Sequence, residues 1–233
     1  MIELSFDNFY KNTLLLAEGG NIFSDRRIQK SEVIPTLKRV EQLTGLSLTD
    51  NTLGSTGKAE SSGDLDVVID SNLHSKDKLI KDLISKGVDP TRLKKTGIEV
   101  AYKAPIISNN GEETGDYIQV DLMFHEDPEY LRFYYDNNEK LPYKGAHRNI
   151  ILASIAKTKG YSLSMKGLAD RETKQIVTKD PDELAKRILG EDATKKDLFN
   201  LPSIIGYLKK HHTQEEVEAM VKEGEERIGL RVI

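Results

Sequence analysis

Apolar residues recur along this chain at two spacings, and each spacing predicts one kind of element. A three-to-four spacing places Phe6, Phe9, Leu14 and Leu16 on an N-terminal helix that stops at Gly19-Gly20. It returns over residues 31–45, where Val33, Ile34, Leu37, Val40 and Leu43 form the expected buried stripe and Ser31 the expected N-cap. Over residues 75–87 it turns Leu79, Ile80, Leu83 and Ile84 inward. Between these two helices a short strand is expected near Thr52-Leu53, then a Gly/Ser-rich loop, then an apolar strand over residues 65–69. Strands over 98–107 and 117–124 are joined by Ser108-Asn109-Asn110-Gly111 and a polar loop, the mark of a hairpin. The second half reads as more helical. Asp127-Pro128 supplies an N-cap and first helical residue for a helix through 135, and a helix over 147–159 ends at Gly160. A hairpin is expected over 163–177, and Asp180-Pro181 opens a helix to 189. Helices over 202–210 and 213–227 complete the chain, the last opened by a Thr213-x-x-Glu216 capping box. The expected class is α+β, a small sheet with helices first and a helix-rich module after it.

Composition narrows the chemistry. None of the 233 residues is cysteine, which excludes disulfides, Cys-ligated zinc, iron–sulfur clusters and thiol nucleophiles together. No run of eighteen apolar residues is present, so no membrane span and no membrane partner are expected. The first residues lack the basic and apolar regions of a signal peptide, and a cytoplasmic location is expected, the host cytoplasm for a viral chain. Net charge is -4, but it is unevenly placed: residues 138–180 carry 9 basic and 4 acidic side chains, after an acidic block. That division suits a metal site next to a surface for phosphates, and equally suits ordinary surface variation.

The informative segment runs from Leu53 to Ile69, LGSTGKAESSGDLDVVI. Asp64 and Asp66 stand two apart on a predicted strand, so both carboxylates leave one face while Leu65, Val67 and Ile69 leave the other. Two like charges that close repel unless a cation or a proton lies between them, and Mg²⁺ is the simplest hard cation for such oxygens. Asp121 is a third acid on an apolar strand, and side-by-side strands would bring all three to one place able to hold two metal ions. Before Asp64, Gly54 permits close backbone approach to an anion, while Ser55, Lys58, Ser62 and Gly63 offer hydroxyls, a positive charge and backbone N–H groups. Taken singly, Gly-Ser is a turn, Asp-x-Asp a solvated strand end and Asp121 a paired core carboxylate. Their order and apolar flanks together point to catalysis.

This combination resembles the polymerase-β-like nucleotidyltransferase superfamily. Ala59-Glu60-Ser61-Ser62-Gly63-Asp64-Leu65-Asp66-Val67 is similar to the palm motif of family X DNA polymerases, and Ala156-Lys157-Thr158-Lys159-Gly160-Tyr161-Ser162-Leu163-Ser164 to their nucleotide-selection subdomain. The resemblance covers Asp25 to about Leu189; after an N-terminal helix over 1–24 it implies a palm over 25–137 and a helix-rich nucleotide-selection and C-terminal subdomain over 138–233. It implies a DNA polymerase adding nucleotides from dNTPs to a primer 3′-hydroxyl with pyrophosphate release, in short-gap filling or repair. Asp64, Asp66 and Asp121 would be catalytic and would bind two Mg²⁺, with Mn²⁺ able to substitute. Gly54, Ser55, Lys58, Ser62 and Gly63 would bind the nucleotide phosphates, and Tyr134, Tyr135 and Asn149 its sugar and base. Lys144, Arg148, Lys157 and Lys159 would hold the DNA backbone.

The chain departs from the family in three ways. The phosphate loop is shorter, with Lys58 in place of paired arginines. Gln119 stands where a basic residue precedes the third Asp. Asp136-Asn137 replaces the Thr-Gly after the aromatic pair. Few residues precede the palm-like helix, so a minimal, monomeric polymerase is expected, the alternative acceptors being RNA or tRNA ends, a protein or a small molecule. His211-His212 reads as a solvated pair, His125 as a loop histidine, and His147 with Arg148 as a helix start able to take a phosphate.

Overall fold

The computed structural model of the chain describes residues 22–135 and 145–233. The N-terminal helix expected around Phe6 to Leu16, the boundary expected at 137–138, and Lys144 lie outside them. The described residues are α+β and divide into two compact units. The first takes the chain up to Thr52 with Ala59–Val67 and His74–Phe124; the second takes Leu53–Lys58, Val68–Leu73 and the chain from His125.

In the first unit, β1 (Ile28–Gln29) pairs antiparallel with β2 (Ser61–Ser62) and leads directly into α1 (Lys30–Thr44). The helix is capped at Gln29, two residues before the expected Ser31 cap. Glu32, three residues after Gln29, reaches back and accepts from the Gln29 N–H at 2.9 Å, and this closes the first turn. Gly45, at φ 73°, ends it, its N–H donating to the Glu41 carbonyl. Its buried stripe is Val33, Thr36, Leu37 and Val40; Ile34, expected inside, is exposed, because the face set by 33, 36–37 and 40 leaves position 34 on its flank.

The sheet has the order β3 (Asp64–Asp70), β6 (Glu113–His125), β5 (Glu99–Ile107), β4 (Leu93–Thr96). β5 and β6 form the expected hairpin, closed by Gly111 N–H to the Ser108 carbonyl at 3.0 Å. β4 is an edge strand that the apolar pattern did not reveal. The strand expected at Thr52-Leu53 shrinks to one bridge, Thr52 to Val67. Val100, Tyr102, Ala104, Ile118, Val120 and Leu122 alternate onto one buried face, which α1 covers along β5. Each valine, leucine or isoleucine among them contributes about 1.5–3 kcal/mol on burial. Thr36 fixes the packing by accepting from the Ile107 N–H at 2.9 Å inside the core. α2 (Lys76–Ser85) begins at its Ser75 cap, and its Ile84, also expected inside, is exposed.

The second unit assembles around α4 (Gly145–Thr158). α3 (Pro128–Tyr135) opens as expected, Asp127 accepting from the Tyr130 N–H at 3.0 Å. The hairpin expected over 163–177 is instead a three-stranded sheet, β7 (Tyr161–Ser164), β8 (Gly167–Asp170) and β9 (Ile176–Thr178). Gly167 permits it: a Cβ there would meet the Thr178 carbonyl at 3.0 Å. α5 (Pro181–Ile188), α6 (Leu201–His211) and α7 (Gln214–Ile228) follow, α7 opened by the expected Thr213–Glu216 capping box. Residues of α4, α5, α6 and α7 share one apolar core that includes Ile151, Ile155, Leu184, Ile204 and Val217.

Candidate active site

The opposite face of the first unit's sheet carries the acids. Cross-strand partners share a face, and the register pairs Ala101 with Asp121, Lys103 with Gln119 and Glu99 with Met123. Glu99, Gln119 and Asp121 therefore stand on one side, with small Ala101 directly opposite Asp121. β3 lies next to β6 in the same sheet and adds Asp64 and Asp66, two apart and hence on one face of their strand.

Four carboxylates act on each other here. Burial pushes Asp66 well up, and the charges of Asp64, Asp121 and Glu99 push it further. Asp121 is 6% exposed; burial, then Glu99 and Asp64, push it up to about 7 against a hydrogen bond from Gln119 that pulls it down. Asp64 rises through burial, opposed by a backbone hydrogen bond and the Arg27 charge. Glu99 rises through burial and Asp64, opposed by Lys94. Among the described residues no three His, Asp or Glu side chains are gathered closely enough to form a preformed metal cage. The donor chemistry nonetheless fits a hard divalent cation: carboxylate oxygens, mutually repelling and partly desolvated, whose ionised forms such a cation would favour.

The surrounding residues organise these acids. Gln119, 3% exposed, donates from Nε2 to both Asp121 oxygens at 3.0 Å and accepts from the Ile22 N–H at 2.9 Å. Each Asp121 oxygen keeps a further lone pair. Ser24 accepts from the Gln119 N–H at 2.9 Å and donates to the Gly63 carbonyl at 2.8 Å, so it ties the residue before Asp64 to the strand of Asp121. Arg27 donates to the Ser61 carbonyl at 2.7 Å and to Ser61 Oγ at 3.0 Å. The Ser62 hydroxyl is buried and has no hydrogen-bond partner, an unusual expense for a polar atom.

Comparison with solved structures adds a likeness of fold. Over 85% of this chain and 79% of the other, the structure is similar to Leishmania infantum polymerase beta, solved as a ternary P/T complex, with 14% identity and a TM-score of 0.45. No protein-family model matches the sequence, and no curated protein does.

Sequence reasoning missed Glu99, Ser24 and Arg27. The first could have been suspected only by pairing β5 with β6. The remaining candidates fall in the second unit. Residues 53–58 form consecutive turns, Thr56 N–H to the Leu53 carbonyl and Lys58 N–H to that of Ser55; Lys58 is exposed. Gly54 has φ 55° and lies against the Tyr135 carbonyl, which a Cβ would meet at 3.8 Å, so the loop and the aromatic residue are neighbours. Tyr134 and Tyr135 pack edge to face at 5.6 Å. Asn149 donates to the Tyr134 carbonyl at 2.7 Å and leaves its Oδ1 buried without a partner.

Arg148 is internal, 4% exposed, donating to the Phe133 carbonyl at 2.9 Å with its guanidinium over the Phe133 ring. It joins α3 to α4 instead of facing outward, since an arginine stem and plane pack well on an aromatic ring. Lys157 and Lys159 are exposed. His125, expected in a loop, ends β6 and is buried, Nδ1 accepting from the Asp127 N–H at 3.0 Å. His211 stacks on Tyr207 at 4.3 Å. Among the described residues no helix is long and apolar enough to cross a membrane.

Proposed function

We propose that this chain is a metal-dependent nucleotidyltransferase, acting as a minimal DNA polymerase that joins a nucleotide from a dNTP to a primer 3′-hydroxyl and releases pyrophosphate. One observation carries the reading: Asp64, Asp66 and Asp121 sit on adjacent strands of one sheet and repel one another. Such an arrangement costs stability unless it serves a cation. These three acids would hold Mg²⁺ or Mn²⁺, which when bound would polarise phosphate oxygens and offset charge developing on them. The transfer itself relies on positioning, so the chain's part is to aim the acids and grip the phosphates. Gln119 and Ser24 aim Asp121 and steady Gly63. Ser62, with its unpartnered hydroxyl, and Gly63 are the phosphate ligands of the first unit; Gly54, Ser55 and Lys58 are those of the turn over 53–58. Tyr135, beside Gly54, Tyr134 and Asn149 are assigned to the sugar and base.

The test is extension of a labelled primer, alone, on a template and in a one-nucleotide gap, with Mg²⁺ or Mn²⁺ and each dNTP or NTP. An Asp64→Ala/Asp66→Ala double variant controls for contaminating polymerases. Template-matched dNTP addition that the variant lacks is the expected result. Transfer of label only to RNA, protein or a small acceptor, again lost in the variant, would replace the polymerase reading with another nucleotidyl transfer. No transfer to any acceptor would overturn both.

A further inference from the structure

The second unit holds a surface cavity of about 260 Å³ that lies among positive charges. It is walled by the last turns of α4, by β7, by the turn between β8 and β9, and by α7. Lys157, Arg171, Lys174 and Arg227 line it, with Glu223 the one acid and Tyr161 an aromatic wall. Lys157 and Glu223 form an ion pair, and the Glu223 carboxyl is held below its ordinary value first by Lys157 and then by Arg227 and Arg171. Three positive charges are thus left over. Among the described residues neither Arg171 nor Arg227 forms an ion pair of its own. A concave surface of one sign concentrates its potential and attracts counter-ions.

The walls are built, not incidental. Asp170 accepts from the Glu172 N–H at 3.0 Å and the Thr173 N–H at 2.8 Å, and Arg171 N–H donates to the Gly160 carbonyl at 3.0 Å. That turn brings Lys174 round in a left-handed backbone conformation, φ 62°, which a lysine adopts at a cost of about 1 kcal/mol. Across the cavity, α7 is locked on α4: Ser154 Oγ donates to the Met220 carbonyl at 2.8 Å and accepts from the Gly224 N–H at 3.2 Å. Arg227, three residues after Gly224, is held at the rim by that lock.

We propose that this cavity binds a terminal phosphate of a nucleic acid strand. Its volume falls below the roughly 300–1,000 Å³ of pockets that enclose a drug-sized molecule, so it suits a charged group more than a whole ligand. Guanidinium forks and an ammonium are the donors that match phosphate oxygens. The surplus of three positive charges suits a dianionic phosphate end better than a singly charged diester. The Tyr161 ring offers the adjoining sugar a flat apolar face. That the phosphate belongs to a nucleic acid rests on the proposed nucleotidyltransferase function; that the cavity takes phosphate does not.

The experiment compares anisotropy titrations of a short labelled oligonucleotide with a 5′-phosphate or a 5′-hydroxyl, on the wild type, on Arg171→Gln/Lys174→Gln and on Arg227→Gln. These positions are exposed, and the melting temperature serves as the folding control. The wild type is expected to prefer the phosphorylated end by at least about tenfold, the worth of one charge-assisted hydrogen bond, and the variants to lose that preference. Equal binding of both ends by the wild type, or a preference the variants retain, overturns the proposal. Stabilisation by inorganic pyrophosphate that the variants lose, without any end preference, would make the ligand a free phosphate compound and overturn the nucleic acid assignment. An Asp66→Asn variant, expected to lose transfer, should keep the end preference. Failure of nucleotide transfer with that preference intact would count against the proposed function and leave the cavity's role standing.

Discussion

The carboxylate cluster has a measurable cost in the absence of metal, and Asp121→Asn exposes it. In the folded chain Asp121 ionises near 7, against 3.8 for an unburied aspartate. At 1.36 kcal/mol per pH unit, keeping it ionised in the folded state costs about 4 kcal/mol at high pH. The sign follows from proton binding. Between 3.8 and about 7 the folded state holds a proton that the unfolded chain has released, so stability is full below the unfolded value and is lost as pH rises through the folded one. From pH 5 to pH 8 this one group removes about 2.5 kcal/mol.

Asparagine carries no charge but gives Gln119 one good acceptor instead of two, a loss of about 1 kcal/mol. The net gain at pH 8 is therefore about 3 kcal/mol, or roughly 6–12 °C in melting temperature for a chain of this size. The assay is thermal melting in EDTA at pH 5 and pH 8, then with excess Mg²⁺. Asp121→Asn should melt above the wild type at pH 8, show a smaller fall from pH 5 to pH 8, and gain less from Mg²⁺. A variant that melts below the wild type at pH 8, or keeps the full pH-dependent fall, would refute the claim that this carboxylate is held against its own charge.

Three further predictions test neighbouring parts of the argument. Gln119→Leu removes the donor that lowers Asp121, so the upper end of the pH range over which EDTA-treated protein loses stability should move up, read from melting curves across pH. Thr36→Val leaves the buried Ile107 N–H without its acceptor and should cost about 1–3 kcal/mol in urea unfolding, with no change in metal response. Gly224→Ala places a Cβ 2.7 Å from Ile151 Cδ1 and 3.2 Å from Ser154 Cβ, so it should cost about 1–3 kcal/mol in the same assay and also weaken the phosphate preference through Arg227.

The parts of this structure that sequence made legible are those governed by short-range periodicity. Asp64 and Asp66 could be placed on one face because a strand alternates every two residues, and the helix starts at Asp127-Pro128, Asp180-Pro181 and Thr213 because a cap is a local bond. β4 escaped notice for the converse reason. Leu93-Lys94-Lys95-Thr96 is four residues long, lies at the sheet edge, and carries the lysines that protect an edge from pairing further, so it lacks an apolar alternation. Ile34 and Ile84 show the limit of periodicity itself: it marks a stripe, but how wide a stripe is buried depends on what packs against it.

The candidate site was legible in its acids and illegible in what aims them. Glu99 joins the cluster only through the register that sets Ala101 opposite Asp121, and no local pattern contains that register. Gln119 reads in the sequence as a missing positive charge. In the structure it is the residue that donates to both Asp121 oxygens, and the difference matters physically: an arginine there would neutralise part of the cluster, whereas an amide orients Asp121 while leaving its charge uncompensated. With a neutral residue at that position, more of the neutralisation would fall to the cation that the proposed function calls for. The metal-linked gain in stability is for that reason the property in which the neutral Gln119 should be most visible.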